Sequence, residues 1–169
     1  MALIRLARND DIDFLAAIEI AAGRLFAEIG MADVAGDGPT TAATHRAGLR
    51  RGHLWVAADA DDRPVGFALV RPLDGCIYLQ EISVHPDHGA QGNGTRLLDA
   101  VVAWARSSRQ PAVTLSTFRD VAWNGPWYRR YGFRELREDG LTPGLLQVRH
   151  GEAKSGLDTS ARFFMRFDL

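Results

Sequence analysis

The sequence contains little cysteine and little lysine. Cys76 is the single cysteine among 169 residues, which excludes an internal disulfide and predicts a reducing compartment, the cytoplasm. Because Cys76 stands at the start of an apolar run, we interpret it as a buried thiol rather than as a nucleophile. Lys154 is the single lysine among the 20 cationic residues, so a motif that requires a lysine elsewhere is excluded.

The sequence also lacks long apolar runs and a strong net charge. No apolar stretch approaches the roughly twenty residues of a membrane span, and the charged residues Arg5, Arg8 and Asp10 interrupt any signal-peptide core. A formal net charge of -1 and a pI near 6.5 argue against nucleic acid and anionic membrane as partners. The hydrophobic content of 46% suffices for one core, and no repeat or linker is present. We therefore expect a single domain over residues 1–169.

Strand-like and helix-like segments alternate along the chain. Period-two or continuous apolar patterns predict strands, and apolar residues at helical spacing between capping residues predict helices. The predicted strands comprise residues 2–7, two strands within 53–70, then 75–85, 111–118, 133–137 and 161–169. The predicted helices begin at Asn9 or Asp10, at Thr40 or Thr41, at Thr95, after Asn124 and after Thr142.

The stretch "HPDHGAQGNGTRLL", residues 85–98, is a glycine-rich turn between a strand and a helix. Backbone N–H groups and the positive end of a helix dipole favour phosphate at such a place. A P-loop is excluded, because Thr95 stands where the phosphate-binding lysine is required. A Rossmann fingerprint fits poorly, because Leu97 takes the place of the third glycine.

The segment "VHPDHGAQGNGTRLLDAVVAWA" resembles the central motif of the GNAT superfamily of acyl-CoA-dependent N-acetyltransferases. That motif is a strand ending in Val-x-Pro, then Arg/Gln-x-x-Gly-x-Gly/Ala, then a helix that begins with a small residue and two aliphatics. Gly89 stands where the family usually has Arg or Gln, and Gln91 is a candidate substitute. The matching positions are Gly92, Asn93, Gly94, Thr95, Leu97 and Leu98.

The segment "NGPWYRRYGF" is similar to the Tyr-x-x-x-Gly-Phe ending of the last short helix of that family, with Tyr128, Gly132 and Phe133 in the matching positions. Many members have an asparagine seven residues before the tyrosine, where this chain has Val121. Asn124 lies closer to the tyrosine, and it is either the cap of the helix or a contact of the cofactor.

The resemblance implies an α/β fold with a mixed, mostly antiparallel twisted central sheet, splayed central strands and flanking helices. It implies acetyl-CoA as cosubstrate, with the pantetheine arm along the backbone of Ile82 and Val84 and the pyrophosphate on N–H groups of residues 90–95. The cofactor-binding residues expected from it are Ile82, Val84, Gly89, Ala90, Gln91, Gly92, Asn93, Gly94, Thr95 and Asn124.

Two residues are candidates for proton transfer. An ammonium group must lose a proton before it attacks a thioester, and the departing thiolate needs one. Glu81 lies in an apolar strand just before the glycine turn, where burial would raise its pKa, and is the candidate base; the alternative is a salt bridge or a solvent-facing residue. Tyr128 is the candidate acid by resemblance; the alternative is a core aromatic beside Trp127 and Tyr131.

For the histidines, tryptophans and arginines near the two motifs we expect simpler roles. His85 and His88 lack a third donor at metal spacing, so we expect loop residues and no metal. Trp123 and Trp127 either shape an acceptor pocket or pack under the last short helix, and Arg129 and Arg130 are expected to face water.

The expected reaction is direct attack by the primary amine of a small molecule, because no Cys or Ser nucleophile with an adjacent base is visible in the sequence. The alternatives are acetylation of a protein N-terminus or lysine, and a non-catalytic acyl-CoA-binding sensor. Glu28, Asp33 and Asp37 either attract a cationic amine or are solvated loop charges. A homodimer stays open as an oligomeric state.

Overall fold

The computed structural model describes residues 2–36 and 38–169. Seven strands and six α-helices lie within these residues. The strands are β1 (Leu3–Leu6), β2 (Leu54–Ala58), β3 (Pro64–Leu73), β4 (Cys76–Val84), β5 (Ala112–Phe118), β6 (Arg134–Glu135) and β7 (Arg162–Asp168). The helices are α1 (Ile12–Glu28), α2 (Ala32–Ala35), α3 (Ala42–Arg50), α4 (Asn93–Ser107), α5 (Gly125–Tyr131) and α6 (Pro143–Lys154).

The chain divides into two compact units. The first comprises the residues up to Arg71 and Glu81–Ala103, and the second comprises Pro72–Gln80 and Trp104–Leu169. Strand β4 and helix α4 each contribute residues to both units. A single domain over residues 1–169 stays a prediction.

The first unit contains an antiparallel arrangement of strands in the order β1-β2-β3, followed by the C-terminal part of β4. Leu3 pairs with Ala58, and Leu54 pairs with Leu69. All five residues of β2 are buried, as their continuous apolar character predicts. Helix α1 covers these strands, so a core forms from Ile12, Leu15, Ile18, Leu54, Val56, Phe67 and Leu69.

The second unit contains strands in the order β4-β5-β7-β6. Strands β4 and β5 pair in parallel at Ile77↔Val113 and Tyr78↔Thr114, whereas β7 pairs antiparallel with both β5 and β6. The Asp74 carboxylate accepts hydrogen bonds from the Gly144 N–H, at 2.7 Å, and from the Thr142 hydroxyl. This carboxylate therefore holds the N-terminus of α6 against the β3–β4 turn.

The α/β class and the mixed, mostly antiparallel sheet are confirmed, since one of the five described strand pairs is parallel. Thr41 and Thr142 cap α3 and α6 through their hydroxyl groups, as predicted. The structure differs from the prediction in detail: α4 begins at Asn93 rather than at Thr95, and β6 is only two residues long. The short helix α2 was not predicted, because its four residues contain no apolar period.

A buried carboxylate joins β1 to the start of α1. Asp11 is 4% exposed and accepts two hydrogen bonds from the Arg5 guanidinium, at 2.7 and 3.0 Å, and one from the Arg8 N–H at 2.6 Å. Arg5 also donates to Asp62 in the β2–β3 turn, at 2.8 Å. One guanidinium therefore connects three segments of the first unit.

We expect Asp11→Ala to lower the free energy of unfolding by about 3 kcal/mol, because it leaves a poorly solvated arginine short of a partner. Urea denaturation measures the loss. Asp13→Ala, an exposed carboxylate in the first turn of the same helix, is the control and should cost about 0.3 to 1 kcal/mol. Equal losses in the two variants would contradict a special role for the Asp11 pair.

Candidate functional site

The glycine turn begins with a tightly hydrogen-bonded segment. Pro86–His88 forms one turn of 3-10 helix, and the His85 Nδ1 accepts a hydrogen bond from the Asp87 N–H at 3.3 Å. The Gly89 N–H donates to the Pro86 carbonyl at 2.9 Å. The backbone that leads into the turn is therefore fixed by local hydrogen bonds.

The centre of the turn has a left-handed backbone at two residues. Ala90 has φ +54° and Gly92 has φ +76°, after which α4 begins. The first hydrogen bond of this helix runs from the Arg96 N–H to the Gly92 carbonyl, at 3.0 Å. The N–H groups of residues 93–95 precede that bond, at the positive end of a 15-residue helix. Alternation of left- and right-handed residues before a helix creates a concave anion-binding backbone.

Asn93 closes the turn from inside. The residue is 3% exposed, and its Nδ2 donates to the His88 carbonyl at 3.1 Å. The side chain therefore supports the loop, while its backbone N–H belongs to the helix N-terminus. Around it, Gly94 is half-buried, and the exposed residues are Gly89, Ala90, Gln91, Gly92 and Thr95.

Glu81 lies near the C-terminal end of β4, in the same unit as the turn. It is half-buried, and its Oε1 accepts a hydrogen bond from the Ser83 hydroxyl at 2.7 Å. Ser83 is buried and lies on the same face of the strand, two residues on. The hydroxyl therefore fixes the orientation of the carboxylate. Ile82 and Val84, between and after these residues, are half-buried.

Tyr128 lies on α5 in the second unit and is 5% exposed. Its ring makes edge contacts with Trp127, at 4.7 Å between centroids, and with Phe133, at 5.4 Å. Tyr131 and Phe167 extend this aromatic cluster. Helix α5 ends at Tyr131 and is followed by Gly132, whose φ of +118° is the left-handed conformation expected of a glycine stop.

Asn124 precedes α5, and its side chain does not cap that helix. Instead its Oδ1 accepts a hydrogen bond from the buried Thr117 hydroxyl, at 2.8 Å. Its Nδ2 is buried and has no hydrogen-bond partner among the described residues. Asn124 therefore occupies the N-cap position of α5 without a side-chain capping bond, and its role as a cofactor contact stays a prediction.

Trp123 is exposed. Trp127 packs on the ring of Tyr128 and therefore belongs to the aromatic cluster. Arg129 is exposed, as predicted, and lies over the Phe163 ring at 5.0 Å. Arg119 also lies over that ring and donates to Glu135 at 2.8 Å. This hydrogen bond holds the pKa of the Glu135 carboxyl below its ordinary value.

Comparison with known proteins identifies the family to which the two motifs belong. A family profile described as acetyltransferase (GNAT) domain matches residues 50–135, just over half of the chain. The chain belongs to the GNAT acetyltransferase family. The resemblance drawn from the sequence is therefore confirmed, and the match includes residues of both compact units.

Individual relatives agree with this membership. The mycothiol acetyltransferase of Nocardiopsis dassonvillei is 38% identical in an alignment of 85 residues that covers 45% of this chain and 24% of that protein. The matched part therefore spans about a quarter of the relative's length.

Solved structures share the fold. The PaiA N-acetyltransferase of Thermoplasma acidophilum, in complex with coenzyme A, has a TM-score of 0.72 at 14% identity, covering 100% of this chain and 99% of that one. The N-acetylglutamate synthase of Neisseria gonorrhoeae, complexed with coenzyme A and N-acetyl-glutamate, has a TM-score of 0.72 at 19% identity, covering 100% and 35%. At such identities the likeness concerns the fold alone.

This member departs from the usual GNAT pattern at two positions. A Cβ at Gly89, where the family usually has Arg or Gln, would lie 3.0 Å from the Pro86 carbonyl oxygen, so the local backbone disfavours a side chain there. Val121, at the position of the frequent asparagine, is buried.

The remaining candidates of this GNAT chain are placed as follows. Within the described ranges, no group of three His, Cys, Asp or Glu residues is arranged to hold a metal ion. Helices long and apolar enough to cross a bilayer are also absent from the part of the chain that the structure describes.

Glu28 and Asp33 are exposed, and Asp37 lies outside the described residues. His85 and His88 approach each other at 6.3 Å between ring centroids.

Proposed function

We propose that the chain binds acetyl-CoA and transfers its acetyl group to the primary amine of a small molecule by direct attack. The observation that carries the proposal is the glycine turn, in which left-handed residues 90 and 92 lead directly into the N-terminus of α4. Membership of the GNAT family supports acetyl transfer, and coenzyme A in the PaiA complex supports the cosubstrate.

The proposed cofactor contacts follow the backbone. The pyrophosphate binds the N–H groups of residues 90–95, where the helix dipole and the turn both present positive potential. The pantetheine arm pairs with the backbone of Ile82 and Val84 in the manner of an added strand. Of the side chains, Asn124 takes part through its buried amide, and Asn93 through support of the loop.

The proposed chemistry is general acid–base catalysis. Glu81 accepts a proton from the ammonium group of the acceptor, either directly or through water. The amine then attacks the thioester carbon, the C–S bond breaks, and Tyr128 gives a proton to the thiolate. The nitrogen loses its second proton, through solvent, to the Tyr128 phenolate as the neutral amide forms. Ser83 is buried and donates to Glu81, which fits a group that orients the base rather than a nucleophile.

A small-molecule acceptor is supported by the relatives, which include an acetyltransferase named for mycothiol and a synthase bound to N-acetyl-glutamate. The second candidate is a non-catalytic acyl-CoA-binding sensor. Its support is the burial of Tyr128 in an aromatic cluster, which alone accounts for the presence of that ring.

Two measurements test the proposal. Calorimetry with CoA and acetyl-CoA measures binding, and absence of heat up to millimolar cofactor would refute it. A screen of amines, amino acids and peptides with acetyl-CoA, followed by thiol release, then identifies the acceptor class. Turnover of peptides alone would replace the small-molecule acceptor with a protein, and binding without turnover of any acceptor would favour the sensor.

The glycine turn itself makes a sharper prediction. We expect Gly92→Ala to weaken CoA binding about 10- to 100-fold, because a Cβ at φ +76° strains the backbone that presents the N–H donors. Binding of pantetheine, which lacks the pyrophosphate, should change little. Calorimetry with both ligands separates the two effects.

Gly52→Ala is the matched control. Gly52 has φ +67°, and like Gly92 it has open space where a Cβ would lie, but it follows the end of α3, outside the glycine turn. Both variants should lose similar stability, and only Gly92→Ala should lose affinity for CoA. Equal affinities for CoA would contradict phosphate binding by the turn.

A further inference from the structure

Helix α3 is attached to the sheet of the first unit by a buried imidazole. Of its nine described residues, His45 and Gly48 are buried, so His45 supplies the one fully buried side chain. The residue is 1% exposed, and its ring meets the Phe67 ring of β3 edge-on, at 5.1 Å between centroids. A Cβ at Gly48 would overlap the Leu69 side chain, so the helix approaches β3 closely. Together with the half-buried Leu49, the imidazole therefore anchors α3 on the core.

The surroundings of the His45 imidazole suit its neutral form. Its Nε2 is buried and has no hydrogen-bond partner among the described residues. His45 is the fourth residue of α3, so the positive end of the helix dipole adds to the cost of a positive charge there. Burial lowers the pKa of the imidazole below its ordinary value of about 6.5. A protonated ring is therefore more favourably placed in water than in this core.

The elements packed around α3 offer little to compensate an imidazolium. The buried stretches of β2, Leu54–Ala58, and of β3, residues 64–70, contain no titratable side chain. On α1, the half-buried Glu19 carboxylate accepts hydrogen bonds from the Thr40 N–H at 3.0 Å and from its hydroxyl at 3.1 Å. The other charged residues of α1, its cap and α3 are Asp11, which pairs with Arg5, and the exposed Asp13, Arg24, Glu28, Arg46 and Arg50. The two carboxylates that are not exposed are thus engaged by other donors.

We propose that α3 is a pH-operated element, which stays docked on β3 while His45 is neutral and leaves the sheet when the imidazole takes up a proton. Segments with few buried side chains open locally while the rest of the fold is retained. Histidine is the side chain whose charge ordinarily changes between about pH 5 and 8, so mild acid is the signal. An apolar residue at position 45 would fill the same space without this response.

The release of α3 reaches the candidate site through β3. The His85 N–H donates to the Val65 carbonyl at 2.8 Å, and the same antiparallel register places Phe67 opposite Ser83. The Ser83 hydroxyl in turn donates to Glu81. Departure of α3 therefore uncovers the neighbour of the Ser83–Glu81 pair. On the proposed function, this lowers acetyl transfer in acid.

Hydrogen exchange of the peptides that contain α3 and β2 tests the proposal at about pH 7.5 and about pH 5.5. The released imidazole has the higher pKa, so docking is complete above about pH 6.5 and is lost as the pH falls below it. After correction for intrinsic exchange rates, protection of α3 should fall by up to about tenfold per pH unit in that range, and protection of β2 much less. His45→Leu should keep α3 protected at both pH values. His45→Met serves the same purpose if the leucine variant folds poorly.

Two further histidines provide controls. His150 is exposed on α6, so His150→Gln should leave the pH response of α3 unchanged. His53 follows α3, and burial together with the charge of Arg51 lowers its pKa as well. His53→Gln should nevertheless keep most of the response, because His53 is only half-buried. A response that vanishes in His53→Gln and persists in both His45 variants would transfer the role to His53 and overturn the assignment.

Equal protection of α3 at both pH values in the unmodified chain would overturn the proposal altogether. Acetyl transfer supplies a second readout: on lowering the pH, the unmodified chain should lose a larger share of its rate than His45→Leu. Equal losses in the two chains would contradict the connection to Glu81. Absence of turnover in every chain would count against the proposed function alone, because the exchange measurement needs neither cofactor nor acceptor.

Discussion

Tyr128→Phe should reduce acetyl transfer about 10²- to 10⁴-fold, the usual cost of losing one positioned acid group. The affinity for CoA should change little, because the backbone groups of the glycine turn are untouched. The unfolding free energy should change by only about 0.5 to 1.5 kcal/mol, since the variant removes a hydroxyl and keeps the ring. Steady-state kinetics, calorimetry and thermal melting measure the three quantities.

The packing of α5 explains why the aromatic contacts at position 128 are retained in Tyr128→Phe. Its contacts with Trp127 and Phe133 are made by the aromatic edge and face, which phenylalanine also provides. Tyr131→Phe is the matched control, because Tyr131 lies on the same helix and packs on Phe133 and Phe167 at 5.9 and 5.6 Å. Both variants should melt alike, and only Tyr128→Phe should lose turnover. Wild-type turnover in Tyr128→Phe would make Tyr128 a core aromatic.

The order of strands and helices could be predicted because burial imposes short periods on the sequence. Strand β2 is continuously apolar and fully buried, and the apolar residues of α1 and α4 repeat at helical spacing. The left-handed stops Gly52, Gly132 and Gly156 and the caps Thr41 and Thr142 are local chemistry that a short window of sequence contains. These features need no tertiary information.

The polar pairs of the candidate site could be predicted only in part. Ser83 is two residues from Glu81, so the period of a strand places both on one face and would have identified the contact. Thr117 and Asn124 are separated by a loop whose path the sequence does not specify. The same holds for Asp74, whose carboxylate reaches Gly144 across 70 residues. Contacts of this kind depend on tertiary packing rather than on local pattern.

Glu81→Gln should also reduce turnover about 10²- to 10⁴-fold at neutral pH, because glutamine cannot accept the proton that the acceptor ammonium must lose. The side-chain oxygen of the new glutamine still accepts the Ser83 hydroxyl, so fold and CoA affinity should stay close to those of the unmodified chain. Kinetics with a small primary amine, together with calorimetry, measure this contrast. Glu138→Gln, at an exposed carboxylate that pairs with Arg149, should leave turnover unchanged.

The pH dependence of the Glu81→Gln deficit identifies the step that Glu81 serves. An alkyl ammonium has a pKa of about 10.4. Below that value, the fraction of amine that is already deprotonated rises about tenfold per pH unit. If Glu81 only removes this proton, the variant should approach the unmodified rate as the pH is raised towards about 10. A deficit that persists undiminished at high pH would show that the carboxylate binds the acceptor rather than deprotonates it. Wild-type turnover in Glu81→Gln at neutral pH would exclude both roles and leave Ser83 and Glu81 as a structural pair on β4.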